Sequence, residues 1–171
     1  MSELRTNRIV PRDGLTSGTH NGGGIIQVRQ AVHTEYVKFN TSSFSAGTMA
    51  GGGAGNYQIT ITPTRADSKI FVMVSIPFRL ANDGAGANGG SYQILRGSTN
   101  IDVVQAYMYY NAGSGMSTKY TYLLHNRQIL DSPATTSAVT YKTQHIAYGS
   151  GSKVYSQYSG RSYMTLMEVS G

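Results

Sequence analysis

Residues 69 to 79, Lys-Ile-Phe-Val-Met-Val-Ser-Ile-Pro-Phe-Arg, place Ile70, Val72, Val74, Ile76 and Phe78 at every second position. Successive side chains of an extended chain point to opposite faces, so this spacing builds one apolar face of a β-strand. An amphipathic helix would need apolar residues three and four apart. The same pattern recurs in Tyr57, Ile59 and Ile61, which alternate with Gln58, Thr60 and Thr62 before Pro63 ends the run. A strand is also predicted over 25–39, with Ile26, Val28 and Val32 on one face, and others over 92–96, 101–110, 119–130, 138–148, 153–157 and 162–169. Gly97-Ser98-Thr99-Asn100 returns the chain as a hairpin turn would. About eight or nine strands with turn signals at short intervals predict an all-β fold, an antiparallel β-sandwich or jelly-roll-like domain. No strand-helix-strand rhythm is present, which argues against a doubly wound nucleotide-binding sheet. Pro77 lies opposite the apolar stripe and has no N–H to donate, so that end of its strand is expected at a sheet edge or a bulge.

Residues 1–24 read differently. Leu4, Ile9, Val10 and Leu15 are too few for a core, and Pro11, Gly14, Gly18 and the run Gly22-Gly23-Gly24 punctuate the segment and end it in a flexible joint. We expect an extended N-terminal attachment segment over 1–24 and a β-sandwich domain over 25–171. Arg5, Arg8 and Arg12, with Ile9 and Val10 between them, suit docking onto an acidic protein surface. The N-terminus lacks an apolar signal region, and no stretch approaches the roughly 20 apolar residues of a membrane helix, so no membrane insertion is expected. With Cys 0 there are no disulfides and no thiolate metal sites. The net charge of +6 is spread over most of the chain without a Lys/Arg run, which is a poor footprint for nucleic acid.

Several apparent motifs fail in context. Gly84-Ala-Gly86-Ala-Asn-Gly89 matches G-x-G-x-x-G, but an extended run follows where phosphate binding needs a helix N-terminus. Gly52-Gly53-Ala54-Gly55-Asn56-Tyr57 starts like a calcium-binding repeat, yet has Tyr57 where a carboxylate is required and no second copy. His20, His33, His125 and His145 are too far apart in sequence to form a metal pair on one element, so separate strand or loop roles are expected. Beyond the tail, Glu35, Asp67, Asp83, Asp102, Asp131 and Glu168 are isolated, and no nucleophile or acid has a visible activating neighbour. The expectation is a non-enzymatic protein with no cofactor, no metal and no catalytic residues; a carbohydrate-active sandwich enzyme would instead show turnover of surface polysaccharide that disappears in a variant of Asp102 or Asp131.

Tyrosine is the informative surplus, with Tyr 13 against Phe 4 and Trp 0. Tyr packs well at half-buried strand positions, and it also offers rigid contact area at low entropic cost, which suits interfaces and adhesive surfaces. From residue type and position, Tyr107, Tyr109, Tyr110, Asn111, Tyr155, Tyr158 and Arg161 are candidates for contact with a host glycan or protein.

Several segments together carry a resemblance. These are Ser-Glu-Leu-Arg-Thr-Asn-Arg-Ile-Val-Pro-Arg-Asp-Gly-Leu at the start, Gly-Gly-Gly-Ile-Ile-Gln-Val-Arg-Gln-Ala-Val at the joint, and Ile-Thr-Pro-Thr-Arg-Ala-Asp-Ser-Lys-Ile-Phe-Val-Met-Val-Ser-Ile, Leu-Arg-Gly-Ser-Thr-Asn-Ile and Leu-Asp-Ser-Pro-Ala-Thr-Thr-Ser-Ala-Val-Thr-Tyr-Lys further on. Over nearly its whole length the chain resembles structural proteins of tailed bacteriophages, in particular short tail-fibre and related virion surface proteins of phages that infect aquatic bacteria, including cyanobacteria. The resemblance implies a virion protein made in the host cytoplasm. It implies a homo-oligomer, most often a trimer, held by its N-terminus to a phage tail or capsid structural protein. Two roles follow from it: a short tail fibre that binds the host receptor, or a capsid decoration (cement or head-spike) protein that stabilises the shell. The chain lacks the repetitive stalk of long fibres.

Overall fold

In the computed structural model the described residues are 24–34, 37–39, 48–49, 57–82, 89–106, 119–148, 152–156 and 160–170. They form β1 (Ile25–His33), β2 (Val37–Phe39), β3 (Thr48–Met49), β4 (Gln58–Ile61), β5 (Lys69–Asn82), β6 (Gly89–Arg96), β7 (Thr99–Ala106), β8 (Lys119–Asp131), β9 (Val139–Tyr148), β10 (Ser152–Ser156) and β11 (Ser162–Val169). No helix occurs among the described residues. The larger sheet runs β1-β11-β5-β10-β2-β3, with β8 paired to the other side of β5, and the smaller runs β4-β9-β6-β7. Each described pairing is antiparallel, and the two sheets pack as a β-sandwich.

The apolar stripe of β5 organises this arrangement. Ile70, Val72, Val74, Ile76 and Phe78 are all buried on the inner face of β5. Against them pack Ile61, Tyr92, Ile94 and Tyr141 from the smaller sheet and Met164 and Leu166 from β11. Removing each such side chain from water contributes about 1.5–3 kcal/mol, and this one strand supplies five of them among the described residues. The 14 residues of β5 also outrun any one neighbour. β8 pairs with it from Ile70 to Asn82, whereas its other side is shared by β11 over Lys69–Ser75 and β10 over Phe78–Asn82.

Pro77 corrects one expectation. Its strand is internal, and the proline falls between Ser75, the last β5 residue paired to β11, and Phe78, the first paired to β10. On that side no described strand stands opposite it, while on the other side it pairs with Leu124 of β8. Gly160 completes the junction: a Cβ built there would lie 3.3 Å from Pro77 Cγ, a tight approach that the ring could accept only by shifting a few tenths of an ångström.

The hairpin expected at Gly97 joins β6 to β7 through Gly97 and Ser98, with Arg96 opposite Thr99. Gly97 has φ 59°, as the first central position of a type II′ turn requires, and its N–H donates to the Thr140 carbonyl of β9 at 2.8 Å. The stretch 25–39 divides into β1 and β2, which pair with different partners, β11 and β10. Ile26, Val28 and Val32 of β1 are exposed, and the inner side of that strand carries Gln27, Ala31 and His33 instead. The two-residue β3 went unpredicted in a Gly-rich stretch that offers no alternation.

Leu166→Ala, at a fully buried position, is expected to cost about 2–5 kcal/mol of unfolding free energy. Val103→Ala on the exposed side of β7 should stay within about 0.5 kcal/mol. Urea denaturation of both variants at neutral pH checks the contrast.

Candidate functional site

Most of the residues singled out for contact lie outside the described residues: Arg5, Arg8, Ile9, Val10 and Arg12 of the attachment segment, and Tyr107, Tyr109, Tyr110, Asn111 and Tyr158. The backbone of Tyr155 sits in β10 opposite Lys38 and Arg79. Arg161 is exposed immediately before β11. Two residues on, Tyr163 is exposed as well, on the outward side of the larger sheet.

That outward side is the most unusual surface of the described protein. Strand register sets three successive rows across β1, β11, β5 and β8: Val28, Met167, Phe71 and Leu130; then Gln30, Thr165, Met73 and Gln128; then Val32, Tyr163, Ser75 and Asn126. None of these twelve residues carries a charge. Val28 is 51% exposed, Leu130 53% and, beyond the third row, Leu124 62% and Tyr122 53%. A hollow of about 200 Å³ opens in the middle, where Met73, Ser75, Asn126, Gln128, Tyr163 and Thr165 meet. Seven of the twelve are apolar or aromatic, and apolar residues gathered on one uncharged face mark contact surfaces more than scattered ones do.

Why β1 turns its valines outward is explained on the inner side. Gln27 Nε2 donates to Glu168 Oε2 at 2.6 Å and to the Thr62 carbonyl at 2.7 Å. Thr64 adds its backbone N–H at 2.7 Å and its hydroxyl at 2.8 Å to Glu168 Oε1. Burial alone would raise the Glu168 pKa, but these hydrogen bonds outweigh it and bring the group down to about 2. With Gln27 held inward, period two sends Val28 and Val32 out, and the register irregularity between Ile25 and Gln27 absorbs Ile26.

The other described carboxylates are engaged too. Asp67 takes Arg65 at 2.8 Å. Asp131 of β8 accepts from Arg96 Nη1 at 2.9 and 3.0 Å and from the Tyr141 hydroxyl at 2.7 Å. Arg127 of β8 pairs with Asp102 of β7, Nη2 to Oδ1 at 3.0 Å. The last two contacts tie β8 to the smaller sheet along one rim. Asp102 and Asp131 are thus cross-sheet ties, each facing its own arginine.

Between the sheets lies a cluster that sequence spacing could not reveal. His33, His125 and His145 come from β1, β8 and β9 and meet around Tyr57, Phe78 and Tyr92. Ring centroids are 4.9 Å apart for His33 and Tyr57, 5.2 Å for Phe78 and His125, and 5.5 Å for Phe78 and His145. Burial lowers the pKa of His33 and His125 and takes His145 down to about 3, so the imidazoles enter as neutral rings. Among the described residues no group of three His, Asp or Glu side chains is placed to hold a metal ion. No helix there is long and apolar enough to cross a membrane.

No family model and no curated protein matches this sequence. Among solved structures, dimeric latent PorU from Porphyromonas gingivalis overlaps 88% of this chain at 13% identity and a TM-score of 0.38. Infectious bursal disease virus, Gx strain, overlaps 86% at 13% identity and TM-score 0.36. A bacterial lipoprotein from Bacteroides thetaiotaomicron overlaps 87% at 17% identity and TM-score 0.32. This chain spans 14% of the PorU chain and 33% of the viral one. At such TM-scores the overlap defines neither a family nor a role.

Acid should act through the histidine cluster. A lowered folded-state pKa means that the unfolded chain takes up the proton first, so this stabilisation is complete above the unfolded value near 6.5 and is lost as pH falls toward the folded one. Stability measured by urea unfolding should be flat from about pH 8 to 7 and then fall, by at most about 1.4 kcal/mol per pH unit for each proton taken up. The fall between about pH 6.5 and 4.5 precedes the contribution of Glu168, which is lost from about 4.3 downward. His145→Phe should make it shallower; an unchanged slope would assign the acid sensitivity to other groups.

Proposed function

We propose that this chain is a non-enzymatic structural protein of a virion surface. In this reading residues 1–24 anchor it to a phage tail or capsid protein, and the sandwich is presented outward to a host glycan or protein, as in a short tail fibre. The observation that carries it is the use of polar chemistry for rigidity: each described carboxylate is tied to an arginine, or to Gln27 and Thr64. The resemblance to tailed-phage surface proteins supports it from the sequence side. Such a module works by contact, so a stiff body suits it.

Imaging of purified particles with the protein labelled tests the proposal, together with a variant that lacks residues 1–24. The label is expected at the tail, and the truncated protein should fold yet be absent from particles, which then fail to adsorb to cells. A label on the shell, with particles that adsorb normally but break easily when the protein is missing, would assign it to capsid decoration. Normal incorporation of the truncated protein would refute the anchor.

A further inference from the structure

We propose that the outer face of the larger sheet is the seat of a second copy of this chain, docked face to face about a two-fold axis that runs across the strands. The inference stands on the sandwich alone and goes beyond the virion role.

Relief comes first. Along β5 and β8 the first row ends in Phe71 and Leu130, and the third holds Ser75 and Asn126 beside the 200 Å³ hollow. The hollow spans the second and third rows, about three residues from the Phe71 and Leu130 ridge, with Met73 and Gln128 on its near edge. A two-fold axis in the interface along this middle row reverses the strands of the second copy. Its Phe71 and Leu130 then face the Ser75 and Asn126 of the first, and the reverse holds at the same time. Isologous contacts need such a surface, in which one patch carries both halves of the fit.

Charge and area fit the same occupant. Like charges repel when a face meets its own copy, and the twelve residues of the three rows carry none. Lys69 and Arg161 stand beyond the rows. The composition, with Met73, Met167, Phe71 and Tyr163 and no Lys or Glu, is that of an interface core. At strand spacings of about 4.8 Å and a rise of about 3.3 Å per residue, the roughly eight residues over which β1, β11, β5 and β8 run side by side cover roughly 500 Å², of which the three charge-free rows are about 320 Å². Two copies would bury about 1,000 Å², the size of a small, reversible interface. Stacked sheets about 10 Å apart with strands within about 30° of one another are a common packing, and here would extend the sandwich to four layers.

Sedimentation of the full chain with on the order of tens of micromolar protein is expected to give twice the 18.4 kDa chain mass. Leu130→Glu and, separately, Val28→Glu place charge on the first row at exposed sites and should each weaken the dimer at least tenfold with an unchanged circular dichroism spectrum. The chain has no Cys, so Gln128→Cys introduces a single thiol on the axis. A short bis-maleimide should link it to its own mate, while Thr99→Cys at the distant hairpin should stay unlinked. A monomer, a trimer, a dimer indifferent to both glutamates, or a Gln128→Cys protein that does not cross-link would overturn the proposal, the last also if residues 1–23 cover the face instead. Because these readouts use free protein, they can fail while the particle experiments succeed, and the reverse.

Discussion

One strand holds this protein together. β5 contributes five consecutive inward side chains to the core, Ile70 through Phe78, and its edges receive β8 on one side and β11 and β10 in succession on the other. Its length is what lets the two halves of the larger sheet share one spine, and Pro77 sits where that edge passes from β11 to β10. The smaller sheet then closes over the stripe through Tyr92, Ile94 and Tyr141.

Polar groups act as fasteners around this spine. Glu168, buried on β11, gathers Gln27 from β1 and Thr64 from the segment after β4, and so ties three parts of the chain at one carboxylate. Asp131 and Asp102 hold β8 to the smaller sheet at the rim. Partly exposed pairs such as Arg127 and Asp102 contribute at most about 1 kcal/mol each, so they fix register and orientation more than they add stability. A consequence is the outward turn of Val28 and Val32. The hydrogen bonds that hold Gln27 inside leave apolar side chains outside, on a face that already carries Phe71, Met167 and Leu130.

Much of the fold was legible because period two is a local signal. β5, β8, β9 and β11 were located within a residue or a few, and the Gly97 hairpin followed from turn chemistry. What remained hidden depends on which strand lies beside which. Alternation in β1 marks two faces without saying which is inner, and the decision rests on Glu168, 141 residues away from Gln27. The convergence of His33, His125 and His145 is equally non-local, since each is one ordinary residue on its own strand. The rows of the outer sheet face were not singled out from the sequence, and Arg161 lies just beyond them. Tyr163 and the rows around it carry no motif, and register alone brings them together. A search for exposed apolar residues in predicted strands would have flagged Val28 and Leu130 only after the inner face was known.

The dependence of the whole on β5 is tested most directly by native-state hydrogen exchange resolved to single amides. The amides of Val72, Val74 and Ile76 should be among the slowest in the chain and exchange only through global unfolding, with a free energy equal to that from urea denaturation. If they exchange as fast as those of the outer strands β4 and β7, the larger sheet is not built on this strand and the account fails.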